Sequence, residues 1–290
     1  MSAADAGQAA FAPAKVNLAL HVTGRRSDGY HELDSLVAFA AIGDELRLRP
    51  AADFSLTVRG PFAAAVPAGP DNLAWRAARA AVARWPEAFA PLAITLTKNL
   101  PAAAGLGGGS ADAAAVLRAM SAIANRPPPP RDLAALALSL GADVPACLHA
   151  RAARMRGIGG IVTPLAGWPD MPAVLANPGL AVPTAEVFAA LEDVPGRPLP
   201  PLPARLSREE AMRWLARTGN DLQAAAVARR PVIGHCLREL AALPGRRLAR
   251  MTGSGATCFA LFDDAAAARA AARRLQARHA GWWVEATILS

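Results

Sequence analysis

The stretch LPAAAGLGGGSADAAAVLRAM (Leu100–Met120) places four glycines, Gly105, Gly107, Gly108 and Gly109, within five positions. Ser110 follows, then an alanine-rich run with neither Gly nor Pro, which reads as helix. Before it, Leu92, Ile94 and Leu96 alternate with smaller or polar residues, a strand period of two. The local order is therefore strand, glycine loop, helix. Glycine admits positive φ and removes side chains that would keep a ligand from the backbone N–H groups. A helix start adds unpaired donors and the positive end of the dipole. Together these make a phosphate cradle. A tight strand-to-helix turn, or a flexible linker, fits the glycines alone equally well. No Lys follows the last glycine, so the loop is not of Walker A type. The sixth position from Gly105 is Ser110, so G-x-G-x-x-G fails too.

At 290 residues the chain is long enough for one large or two medium domains. No apolar run reaches membrane-spanning length, and the N-terminus lacks the pattern of a signal peptide. Cys147, Cys236 and Cys258 are scattered without metal spacing, in keeping with a reducing cytoplasm. The net charge is +8, carried almost wholly by Arg. The basic residues are dispersed and poor in neighbouring aromatics, which argues against nucleic acid. Anionic small substrates account for the charge, and so does a plain Ala/Arg/Pro compositional bias.

Residues 1–9 are expected to form a frayed tail. Phe11–Val22 alternates as a strand, with Lys15, Asn17, Ala19 and His21 on one face. That face is either solvated or functional; Lys15 stands out because only it and Lys98 are Lys. Tyr30 and His31 sit in a turn-rich segment, either stacking on a flat ring or packing on a hairpin rim. Asp44–Arg49 and Phe54–Arg59 read as antiparallel strands. A helix capped by Asp71-Asn72 runs to Trp85, and another covers Arg131–Leu140 with Gly141 closing it at C′. Asp143, between that stop and Pro145, is an N-cap or a functional carboxylate. Further on, Ala173–Ala176 is a strand, and Thr184 a candidate N-cap. Residues 195–204 form a proline-rich loop, a helix follows Asp221, and another covers Val232–Leu243. Leu248–Phe262 is strand–turn–strand around Gly253-Ser254-Gly255, then helix Asp264–Arg278 and strand Trp282–Leu289. This order suggests an α+β second domain of ferredoxin-like type.

Three separated motifs together resemble the GHMP kinases: Pro13-Ala14-Lys15-Val16-Asn17-Leu18, Leu100 through the glycines to Asp112, and Thr252-Gly253-Ser254-Gly255. The likeness spans about residues 12–262. It implies an α+β, two-domain fold, with a ribosomal-protein-like ATP-binding domain at 1–164 and a ferredoxin-like domain at 165–290. The final strand is left open to rejoin the first domain. Gly24 to His31, Gly141-Ala142-Asp143-Val144-Pro145, Arg156-Gly157-Ile158-Gly159 and Pro183-Thr184-Ala185 resemble the branch acting in the non-mevalonate isoprenoid pathway. That branch uses ATP and Mg²⁺ to phosphorylate the 2-hydroxyl of a cytidine-diphosphate-linked methylerythritol. Homoserine- or mevalonate-type kinases and a non-catalytic nucleotide- or sugar-binding member are the alternatives.

The resemblance implies that Asp143 takes the hydroxyl proton, with Lys15 as its cationic partner. It gives the ATP phosphates to Pro101, Ala102, Ala103, Ala104, Gly105, Leu106, Gly107, Gly108, Gly109 and Ser110. The substrate falls to Asn17, Tyr30, His31, Asp143, Thr184, Gly253 and Ser254, and no metal ligand is singled out. Family loops often carry Gly where Ala104 stands, Ser where Ala111 stands and Glu where Gly160 stands. A cytoplasmic monomer or weak homodimer without nucleic-acid or membrane partners is expected.

Overall fold

A computed structural model describes residues 7–191, 196–203 and 206–290. In chain order the elements are β1 (Gln8–Arg25), β2 (His31–Pro50), β3 (Ser55–Arg59), α1 (Leu73–Arg84), β4 (Leu92–Thr97), α2 (Gly108–Ile123), α3 (Pro130–Leu140), α4 (Val144–His149), β5 (Ala153–Gly157) and β6 (Ile161–Pro164). Then follow β7 (Met171–Asn177), α5 (Thr184–Ala189), α6 (Arg208–Ala216), α7 (Gln223–Arg229), α8 (Pro231–Ala241), β8 (Arg246–Met251), β9 (Cys258–Phe262), α9 (Ala265–Arg278) and β10 (Trp283–Leu289). They form two compact units that alternate along the chain. One takes the described part of Met1–Ala14 with Ile42–Ala102 and Gly107–Ala150; the other takes Lys15–Ala41, Ala103–Leu106 and Arg151–Ser290.

In the first unit, β4 pairs antiparallel with the end of β2 (Glu45↔Thr97 to Pro50↔Leu92) and parallel with β3. The two alternating segments expected to pair with each other are therefore separated by β4. Burial explains the order. Leu92, Ile94 and Leu96 of β4 are all buried, whereas β3 is exposed or half-exposed throughout and takes the edge. Among the described residues, four α-helices complete the unit. In α1, Ala74, Ala77, Ala78 and Ala81 recur at helical spacing and are buried, and Asn72 caps the helix by accepting from the Ala74 N–H. It packs on α2, whose Ala111 to Leu117 are buried without a break, marking a central helix. Alanine's small side chain lets such helices approach closely.

In the second unit, an antiparallel sheet runs β2–β10–β7–β9–β8. From β7 onward, the order β10–β7–β9–β8 is that of a ferredoxin-like fold, as the strand and helix sequence implied. The β5–β6 hairpin pairs with Leu33–Val37 of β2. Val174, Cys258 and Phe262 from the sheet pack with Ile233 and Leu240 of α8 and Leu275 of α9. Arg250 of β8 is also buried. It donates to the carbonyls of Leu18 (2.6 Å), Leu215 (3.0 Å) and Thr218 (2.7 Å), and burial lowers it to about 10, still charged at neutral pH.

Several local expectations change. Of the tail expected at 1–9, residues 1–6 lie outside the described residues, while Gln8 already belongs to β1. The loop expected at 195–204 is without regular structure over 196–203; residues 195 and 204 lie outside the described residues. Gly141 follows α3 with extended backbone (φ 167°, ψ 151°), not the left-handed form expected of a C′ glycine. Thr184 is the first helical residue of α5 rather than its cap. The helix α6 was not anticipated, although Ser207 and Glu210 form a capping box at its start.

Candidate active site

The Lys15 face of β1 is buried, not solvated. Lys15 and Asn17 are each about 4% exposed and His21 3%, on a strand shielded on both sides. Buried polar groups need partners, and here they find those of the other two motifs. Lys15 Nζ donates to Asn17 Oδ1 (3.2 Å), and Asn17 Nδ2 donates to Ser35 Oγ (2.8 Å). The Asn17 N–H donates to Thr252 Oγ1 (2.8 Å), whose hydroxyl in turn donates to the Gly105 carbonyl (3.3 Å). The Lys15 N–H meets the Leu106 carbonyl (2.9 Å). Thr257 and Val182 N–H groups reach the carbonyls of Ala104 and Ala103. Thus Lys15, Asn17, the Ala103–Leu106 part of the glycine stretch and the Thr252–Gly255 turn form one hydrogen-bonded node in the second unit.

Glycine is required at one point of that node. Gly105 has φ +76°, and a Cβ there would lie 2.5 Å from the Thr252 carbonyl oxygen. The turn itself is tied down by Asn220, whose amide donates to the carbonyls of Met251 and Gly253, both at 2.8 Å. Thr184 shares a hydrogen bond with Ser254 (Oγ1 to Oγ, 2.9 Å), so its hydroxyl is turned to the glycine turn and not to its own helix. His31 opens β2, its ring stacked on Phe188 at 5.0 Å and 26°. Burial, with help from the Arg25 charge, lowers its pKa below the usual imidazole value. Tyr30, beside it, is 65% exposed. Behind this pair, Asp34 takes a bidentate bond from Arg154 (2.7 and 2.6 Å) and accepts the Leu199 N–H.

The rest of the glycine stretch opens α2 in the first unit. The helix begins at Gly108, two residues earlier than expected, after Gly107 at φ +62°. Gly107 offers no capping side chain, so the first-turn N–H groups of Gly108, Gly109 and Ser110 have no acceptor from their own cap. A sixteen-residue helix that starts without a side-chain cap suits an anion. Pro101 and Ala102 precede this loop, in the same unit.

Beneath that helix start lies a cluster that sequence reasoning missed. Lys98, 3% exposed, forms ion pairs with Asp44 and with Asp112 (2.8 Å), both buried. A Cβ on Gly108 would lie 3.4 Å from Lys98 Nζ. Burial works against the Lys98 ammonium, but Asp112 and Asp44 outweigh it and raise its pKa. Burial pushes Asp112 up to about 7; Lys98 opposes this and Asp44 adds to it. Asp112 Oδ1 is buried with no hydrogen-bond partner among the described residues, as are both ring nitrogens of His21. The rarity of Lys was the one available signal for Lys98.

Asp143 stands at the N-cap position of α4 and is half-buried, yet its carboxylate makes no capping bond to that helix.

Comparisons with known proteins bear on all of this. Residues 72–151 match the GHMP kinases N-terminal domain model and residues 205–281 the GHMP kinases C-terminal model. The chain belongs to the GHMP kinases. A protein of Dinoroseobacter shibae named 4-diphosphocytidyl-2-C-methyl-D-erythritol kinase is 52% identical, over 97% of this chain and 94% of that one. One of Methylobacterium radiotolerans with the same name is also 52% identical, over 96% and 97%. A crystal structure of 4-(cytidine 5'-diphospho)-2C-methyl-D-erythritol kinase superposes with a TM-score of 0.79 at 39% identity, covering 97% of this chain and 99% of that one. A homoserine kinase of Cytophaga hutchinsonii shares the fold (TM-score 0.72, 17% identity, 100% and 96% covered).

Proposed function

We propose that this GHMP kinase transfers the γ-phosphoryl group of ATP to the 2-hydroxyl of 4-diphosphocytidyl-2-C-methyl-D-erythritol. The observation that carries this is near-complete coverage at about half identity by relatives bearing that name. Phosphoryl transfer requires a cradle for charge, an aligned nucleophile and an acceptor for its proton. Pro101 to Ser110 hold the ATP phosphates, chiefly through the first-turn N–H groups of α2. Asp143 accepts the hydroxyl proton. Lys15 balances the charge that develops on the transferring phosphoryl, and Asn17 orients the substrate beside it.

Tyr30 stacks on the cytosine, and His31, its plane set by Phe188, bonds the base edge. A neutral His31 offers one donor and one acceptor, as a base edge asks. Thr184, Gly253, Ser254 and Asp143 complete the substrate contacts. Mg²⁺ fits this reading through Ser110, partly exposed at the start of α2, together with phosphate oxygens and water. Asp112 does not fit it, being buried and paired with Lys98. The ion would neutralise phosphate charge. The division at 164/165 and action in the cytoplasm as a monomer or weak homodimer belong to the same proposal.

ADP release from purified protein with a panel of alcohols tests it. Turnover is expected only with the diphosphocytidyl alcohol, and not with homoserine, mevalonate or galactose. Preference for any other member of the panel, or no turnover with the first, overturns the assignment.

A further inference from the structure

A second cluster lies outside these motifs. His235 and Glu239 are four residues apart and so share one face of α8. His279, just past α9, reaches the same face: its Nε2 is 3.1 Å from Glu239 Oε2. One ligand atom from each of the three lies within 4.8 Å of the other two, and all three residues are half-buried. Two imidazoles and a carboxylate are the donor set that borderline divalent cations favour.

The surroundings hold this geometry. Trp282 stacks on His279 at 4.0 Å and 12°, and meets His235 edge-on at 5.6 Å. Gln276 donates to the carbonyls of His279 (3.2 Å), Ala280 (3.4 Å) and Trp282 (3.2 Å), closing the turn that carries His279. A fixed ring plane and an immobilised turn are what a ligating histidine receives from its neighbours in a built site. Arg278 is the opposing group, donating to Glu239 Oε2 at 3.3 Å.

We propose that His235, Glu239 and His279 bind one divalent transition-metal ion of the Zn²⁺ class. The ion ties α8 to the turn between α9 and β10, with its fourth position left to water. Binding replaces the His279–Glu239 hydrogen bond with two metal–ligand bonds. Arg278 weakens the site by competing for the carboxylate.

Metal-free protein is titrated with Zn²⁺ alone against a chromophoric chelator. One equivalent is expected to bind. His235→Ala and Glu239→Gln should each weaken binding at least tenfold, and Arg278→Gln should tighten it several-fold. Co²⁺ in place of Zn²⁺ should give a visible absorption band that is lost in the first two variants, a readout independent of stability. No stoichiometric binding, or binding unchanged in all three variants as the buried cysteines would give, overturns the proposal.

Discussion

Asp143 shows how far one residue can be read from sequence. Its place between a helix stop and Pro145 is that of an N-cap, and the structure puts it at that position without the capping bond. Asn keeps the size and polarity of the Asp side chain and removes only its charge and basicity. Asp143→Asn should therefore fold with a melting temperature close to that of the wild type. Turnover should fall by about 10² to 10⁴, the range for a lost acid–base group. Circular dichroism melting and ADP release on the same preparation separate the two effects; a variant turning over at near wild-type rate would remove Asp143 from the mechanism. Lys15 stood out by residue type alone, and its burial deepens that signal. Lys98 carried the same signal but no reading, because its partner Asp44 is 54 positions away and no local pattern links them.

At the scale of elements, the strand–loop–helix order around the glycines was legible because period and glycine content are local properties. The start of α2 was misplaced by two residues, since glycine is a poor interior helix former and only the tertiary contacts admit Gly108 and Gly109. Strand neighbours were less legible: the insertion of β4 between β2 and β3 is set by which strand has most to bury. The junction of β4 and α2 also carries a pH-dependent element. Asp112 has a folded value near 7, above the unfolded carboxylate value of about 4. Between the two the native state holds the extra proton, so stability is complete below the lower value and falls as pH rises through the upper one. Asp112→Asn has no such proton to lose. In urea unfolding, the stability of wild type relative to this variant should drop between pH 5 and pH 8. Parallel pH curves would show that Asp112 is ionised throughout, held so by Lys98.

For the whole molecule, the α+β class and the ferredoxin-like part followed from element order, whereas the way β1 and β2 serve both compact units did not. A strand's first and second halves look alike in sequence, and only long-range pairing assigns them. Net charge is likewise a property of the whole, and its two explanations make different predictions. A field that draws diphosphates and triphosphates toward the protein is screened by salt, with a Debye length near 10 Å at 0.1 M falling to about 3 Å at 1 M. If the +8 charge serves its anionic substrates, kcat/KM for both the diphosphocytidyl alcohol and ATP should fall several-fold between about 0.05 and 0.5 M ionic strength. The maximal rate should change little, because the bound groups are already desolvated. Initial-rate kinetics across a salt series, with KM and kcat separated for each substrate, decide it. A flat kcat/KM would leave the arginine excess as composition alone.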